Sequence, residues 1–312
     1  MSSKSVTYGE RLVGSVPNRL KDNLMYVIVG VPLTLLTMFF LLPSLYLFAT
    51  SFFPRDVGNY YSFGFTLEHY AQLFESPIYR EYLWNTIRLA LYTTIISVLL
   101  GYPIAYWIAR VESTHLKRAL LLMIVATMWI TVIIRAYAIQ VMLSGNGVIN
   151  ELLMAWTPIS EPVTSASGLF SVLVGMVYGF LPFAILTMYT SISNINPKLE
   201  EASRNLGASR LQTIRHVVLP LSKNGIAGGA SLVFILALGS YVIPRLLGNP
   251  QQFTFPVMIT EAVQQNLNVP FGAVLSAILT GLTILFFLIA IKLFGLGSEQ
   301  LVGDTPEGDT DG

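Results

Sequence analysis

The chain has 312 residues, 54% of them hydrophobic and only 11% charged, with a formal net charge of +1. Soluble domains carry about 25% charged residues, so this composition excludes a water-surrounded globular protein and points to a polytopic membrane protein with one membrane domain. A balance this close to neutral gives no reason to expect a nucleic-acid partner, and the absence of cysteine excludes disulfides, thiolate metal sites and cysteine nucleophiles.

A helix needs about 20 apolar residues to cross the hydrocarbon core of a bilayer. Six segments qualify: 25–53, 83–109, 119–143, 168–191, 224–244 and 272–296. Isolated strands would leave backbone groups unpaired in lipid, so all six are expected to be helices. The first is too long for a signal-peptide core and reads as an uncleaved membrane helix. The fold class is therefore all-α, with about six transmembrane helices. Three longer connections, 54–82, 144–166 and 246–271, have room for short interfacial helices, with 150–156 and 260–266 as candidates. Pro43, Pro103, Pro182 and Pro244 are read either as kinks within the spans or as helix-end residues.

Lys and Arg set the orientation. With the N-terminus inside, the cytoplasmic segments hold thirteen of them, from Lys4 to Lys292, and the opposite loops hold only Arg55 and Arg80. The expected layout is a cytoplasmic segment at 1–24, a membrane domain at 25–296 with a cytoplasmic loop at 193–223, and a cytoplasmic tail at 297–312 that is expected to be disordered, Gly-, Asp- and Thr-rich over 303–312.

The loop at 193–223 reads as two short helices. Asn196 is a good N-cap and Pro197 suits the first helical position. The first helix closes at Gly207, which tolerates the left-handed conformation. Ser209-x-x-Gln212 is a capping box that opens the second, and Pro220 is expected to stop it. Ala202 and Ser203 are small, so another surface can approach this helix closely. Glu201 suits the positive end of the helix dipole. Caps alone are equally consistent with an ordinary solvated connector.

Arg135 lies well inside the third span, where a charge is expensive. Two roles are open to it: a gate or pathway residue, or a side chain that snorkels or is tied to helix-end carbonyls. Arg88 and Arg245 lie nearer span ends and read as interfacial anchors. No phosphate-binding G-x-x-x-x-G-K-[ST] run and no G-x-S-x-G run occurs, and His69, His115 and His216 are scattered. No catalytic residue and no metal ligand is assigned. His69 is expected to be a surface histidine.

The run Glu201-Ala202-Ser203-x-x-x-Gly207, followed by Val217-x-Leu219-Pro220, closely resembles the ATPase-coupling motif of ABC importer permeases, with Ser203 and Val217 as mild departures. Two further segments, Trp129-x5-Arg135-Ala136-Tyr137-Ala138 with Gly145-x-Gly147-x-Ile149-Asn150, and Gly239-Ser240-Tyr241-Val242-x-Pro244-x-Leu246-Leu247-Gly248, resemble the spermidine/putrescine-type permease group.

The resemblance implies that Glu201, Ala202, Ser203, Gly207, Val217, Leu219 and Pro220 couple to a separate ATP-binding subunit. ATP and Mg²⁺ then belong to that partner, and this chain itself carries no cofactor. It also implies a second, homologous permease chain, an extracytoplasmic solute-binding protein, and residence in the lipid of the cell membrane. Arg135, Tyr137, Ser240 and Tyr241 are candidates to line the passage. Polyamines are cations, yet no span contains a carboxylate, and the nearest, Glu151 and Glu261, lie in outer loops. That pattern fits selection by the external binding protein. The alternatives are a permease for another small organic solute, a self-contained secondary transporter, or a membrane scaffold. A secondary carrier is expected to show internal repeats and ionisable groups at mid-membrane, and no repeat is visible here.

Overall fold

The computed structural model describes residues 28–56, 58, 60–156 and 167–294. The expected segments at 1–24 and 297–312 lie outside them. The described residues contain helices and no strand. In chain order they are α1 (Ile28–Thr50), α2 (Glu68–Glu75), α3 (Pro77–Arg110), α4 (Thr114–Met128), α5 (Val132–Met142), α6 (Val148–Trp156), α7 (Leu169–Ser193), α8 (Pro197–Asn205), α9 (Arg210–Leu221), α10 (Lys223–Leu238), α11 (Val242–Leu247), α12 (Phe255–Thr260) and α13 (Val269–Phe294).

Four of these, α1, α3, α7 and α13, are each long and apolar enough to cross a membrane. The other two expected spans differ from the reading of the sequence. The third is broken into α4 and α5, which meet at 93°. The fifth, expected at 224–244, ends at Leu238. It is bent by 70° from α9 at one end, and after Gly239 and Ser240 the chain restarts as the short α11. The expected interfacial helices are present as α6 and as α12 with its wider continuation Glu261–Gln265.

The core is a three-helix unit of α3, α7 and α10. The buried face of α3 carries Ala90, Thr93, Ser97, Gly101 and Ala105, small residues at helical spacing. In lipid there is little hydrophobic gain in bringing helices together, so close van der Waals approach does the work, and small residues permit it. A methyl group added at Gly101 would lie 2.9 Å from Met188 Cε of α7, and one at Gly225 of α10 would collide with Ser191. Buried hydroxyls bond back to carbonyls four residues earlier, as Thr94 does to Ala90 and Thr187 to Phe183, both at 2.7–2.8 Å. A satellite cluster of Leu73, Phe255, Phe271, Val274 and Leu275 joins α2, α12 and α13. His69 belongs with it. The expected surface histidine is buried at 6% exposure beside Phe271, because α2 turns His69 and Leu73, one helical turn apart, toward the bundle. α1 buries only Thr50 among its residues 42–50, and its apolar side chains are exposed all round.

The prolines are accommodated in different ways. Pro103 and Pro182 lie inside α3 and α7, which continue through them. Pro43 and Pro220 each follow a π turn, Thr37–Leu41 and Ile214–Val218. Proline has no N–H for the carbonyl four residues back, and a wide turn re-registers the ladder ahead of it. The helix that carries Pro220 closes one residue later, at Leu221, and the chain then bends by 70° into α10. Pro244 falls in α11, outside the long helices.

The break between α4 and α5 is held by Arg135, itself 6% exposed. Its Nη2 donates to Thr127 O at 2.8 Å and Ile130 O at 3.2 Å, and its Nη1 to Gly179 O of α7 at 3.3 Å. The guanidinium also sits 5.1 Å from the centroid of the Tyr178 ring. A helix end leaves carbonyls without donors and carries partial negative charge. Arg135 supplies both the donors and the positive charge. Replacing it by Met removes these donors from the break, at about 1–3 kcal/mol for each carbonyl left without another partner. Arg135→Met is expected to lower the melting temperature of the purified protein in detergent, with Arg135→Lys in between. An unshifted melting temperature for the Met variant would show that the break stands without it.

Candidate functional site

Two regions at opposite ends of the core contain the residues singled out from the sequence. The first is the connection from α7 to α10. Asn196 Oδ1 accepts from Lys198 N at 3.0 Å and Pro197 opens α8. The helix ends as the spacing predicts, with Gly207 at φ +90°, a conformation that costs little only for glycine. The Ser209–Gln212 capping box is present in both directions, at 3.3 and 2.7 Å.

Glu201 and Ala202 are exposed, as are Gly207, Leu219 and Pro220, while Ser203 and Val217 are half-buried. The Ser203 hydroxyl lies 3.2 Å from that of Thr213, which ties α8 to α9. Val217, Leu219 and Pro220 follow on α9, whose segment Ile214–Val218 packs against α8. Leu206 and Leu211 protrude nearby at 90% and 75% exposure. Between this loop and the end of α3 is an open cavity of about 630 Å³, lined by Arg110, Lys117, Glu201, Arg204 and Arg210 among others.

The residue that sequence reasoning missed here is Glu200. It is buried at 6% exposure, and Arg110 of α3 contacts its Oε1 through Nε at 2.7 Å and Nη2 at 2.5 Å. The Tyr106 hydroxyl donates to its Oε2 at 2.8 Å. A possible signal was the four-residue spacing of Tyr106 and Arg110 facing a pair of adjacent glutamates, but which glutamate turns inward depends on how α8 sits.

The second region is a cavity of about 420 Å³ between the two broken helices. It is lined by Arg135, Gly179, Phe180, Phe183, Gly239, Ser240 and Tyr241, with apolar residues between them. The fold thus brings together three of the four candidate passage residues, two of them from one break and the third from the other. The fourth, Tyr137, does not join them; it is 53% exposed on α5. Arg135 is the sole charged residue lining this cavity. For Arg135 the structure shows the carbonyl-bound role. Arg245 pairs with Glu261 at 2.8 Å and lies over Phe253, and Arg88 donates to Asn85 and lies over Trp84. Glu261 is therefore already neutralised by a neighbour.

Comparison with known proteins places this architecture. Residues 8–296 match the family model described as binding-protein-dependent transport system inner membrane component. The spermidine/putrescine transport system permease protein PotB of Haemophilus influenzae is 33% identical over 270 residues, covering 86% of this chain and 93% of that protein. PotB of Escherichia coli is 34% identical over 262 residues, covering 83% and 94%. Among solved structures, a chain of a bacterial ABC transporter that imports the acidic polysaccharide alginate superposes with a TM-score of 0.65 at 20% identity, covering 88% of this chain and 96% of that one. A chain of the MetNI methionine ABC transporter gives 0.52 at 18% identity, covering 72% and 100%. At such identities the structural likeness carries the fold alone. The match over nearly the whole chain carries more: this protein belongs to the family of inner membrane components of binding-protein-dependent transport systems, and is a permease subunit of an ABC importer.

Proposed function

We propose that the imported solute is a polyamine of the putrescine or spermidine class. The observation that carries this reading is the 33% identity to a spermidine/putrescine permease over 93% of that protein's length. The cavity between the helix breaks is then this chain's share of the passage, with Ser240 and Tyr241 on its wall. It contains no carboxylate among its lining residues, and its one charge, Arg135, is occupied by carbonyls. Such a wall offers a cation weak contacts, aromatic faces among them. This supports a division of labour in which an external solute-binding protein selects the polyamine and the membrane part lets it pass. A second, homologous permease supplies the other wall.

In the same reading, the loop carrying α8 and α9 faces the cytoplasm, as the distribution of Lys and Arg favours, and docks on a separate ATPase subunit that binds ATP and Mg²⁺. Exposed Glu201, Ala202 and Leu206 support this, since they present a charge, a small residue and an apolar knob on one short helix. Nucleotide-driven motion of the ATPase is useful only when the two conformations of the membrane part contact it differently. The loop's caps keep α8 rigid enough for such contacts to differ.

Two experiments test these assignments. Uptake of labelled putrescine and spermidine is measured in cells lacking the chain and in cells where it is restored. Restored, ATP-dependent uptake is the expected result, and absence of uptake of either compound removes the polyamine assignment while leaving the permease in place. For the loop, Gly207→Pro imposes φ near −65° on a residue that sits at +90°, and Glu201→Arg reverses an exposed charge. Both variants are expected to insert normally and to reduce uptake by about tenfold or more, within the usual range of a coupling energy. Full uptake by a well-expressed variant would count against docking at this loop.

A further inference from the structure

The last turns of α3 carry Tyr102, Tyr106 and Arg110 at four-residue intervals, so all three lie on one face of the helix. All three touch the connection between α7 and α10, two of them at Glu200. Arg110 reaches Ile195 O at 3.4 Å, just before α8, and the carboxylate of Glu200 on α8. Tyr106 donates to the other oxygen of Glu200. The Tyr102 hydroxyl lies 3.1 Å from Oγ of Ser222, the fully buried residue at the bend between α9 and α10. Glu200 is the only buried residue of α8 and its contact with α3, while Ser203 ties the helix to α9.

We propose that Glu200 is the positioning residue that ties α8 to α3, so that displacement of α8 moves the α3–α7–α10 core and reshapes the cavity between the helix breaks. The inference rests on the reading of this loop as the ATPase-docking segment. An apolar contact would hold α8 in place at least as firmly, because a buried ion pair repays little in stability. A carboxylate gripped on both oxygens by two side chains of one helix fixes something else, namely the orientation of α8 relative to α3. From there the connection is stiff. α3 is one unbroken helix of 34 residues, packed through small residues on α7 and α10, and α10 ends at Gly239 on the cavity wall. A contiguous set of contacts is not in itself evidence of coupling, so the test must read the far end.

The chain contains no cysteine, so Ser240→Cys is a unique reporter at the cavity. The complex of this chain with its partner permease and ATPase is placed in lipid nanodiscs. The rate of maleimide labelling at this position is compared without nucleotide and with ATP plus vanadate, a readout that needs no knowledge of the solute. In the reporter background, nucleotide trapping is expected to change the rate by about fivefold or more, the lower end of typical coupling. Glu200→Gln is expected to remove that dependence while the ATPase still co-purifies and still traps ADP and vanadate. Exchanging the charges, Glu200→Arg with Arg110→Glu, is expected to restore it. Retained nucleotide dependence in Glu200→Gln overturns the proposal, as does a charge exchange that restores nothing. A reporter that ignores nucleotide although the ATPase is docked overturns it too. An ATPase that fails to associate with the reporter complex removes the docking reading beneath it, which separates the two failures.

Discussion

The constraint on which the rest of this structure depends is that a main-chain carbonyl in apolar surroundings must find a donor. Continuous helices meet it automatically. Two of the six expected spans are not continuous, and each break needs its own solution. At the first, the guanidinium of Arg135 takes Thr127 O, Ile130 O and Gly179 O. Arginine suits this role because it keeps its charge and spreads five donors in a plane, whereas lysine offers one compact ammonium. At the second, Ser240 O accepts from the Thr254 hydroxyl at 3.3 Å. The two breaks share a cavity, so the satisfaction of backbone groups and the shape of that cavity are settled by the same few residues.

The second determinant is close packing. α3, α7 and α10 meet through small residues as well as large apolar ones, and side chains added at Gly101 or Gly225 would collide with α7. Closely packed helices have few alternative arrangements short of moving together. The core packs α3, α7 and α10 against one another between the α8–α9 connection at one end and the cavity at the other. The bends lie at its margins: 70° between α9 and α10, and 93° between α4 and α5.

Much of this was legible in the sequence where the signal is local. The caps at Asn196 and Ser209 and the left-handed Gly207 follow from the chemistry of single residues and their neighbours, and they appear as read. The apolar runs located the membrane helices, although α3 begins six residues earlier than hydropathy suggested, since Tyr79, Arg80 and Glu81 extend a helix without being apolar. The break at 129–131 was not legible. It contains Trp129, Ile130 and Thr131, with neither proline nor glycine to mark it, and its ends are held by Arg135 of α5, which also reaches a carbonyl of α7. The break after Leu238 did carry a signal, Gly239-Ser240 ahead of Pro244, which the strong hydropathy of that segment outweighed. His69 was misjudged for a related reason: an outer connection was taken as surface, while α2 folds back and buries it.

Glu200 and Glu201 show most directly what one dimension conceals. They are the same residue type at adjacent positions, and resemblance to a motif drew attention to the second. Successive residues on a helix point about 100° apart, so a helix lying on a surface turns one of the pair in and the other out. Here the inward one meets Tyr106 and Arg110, and the outward one is left for whatever approaches α8. The charge at the α3 terminus thus asks for a carboxylate from α8, and the rotation of α8, which gives that role to Glu200, decides which side chains the loop presents.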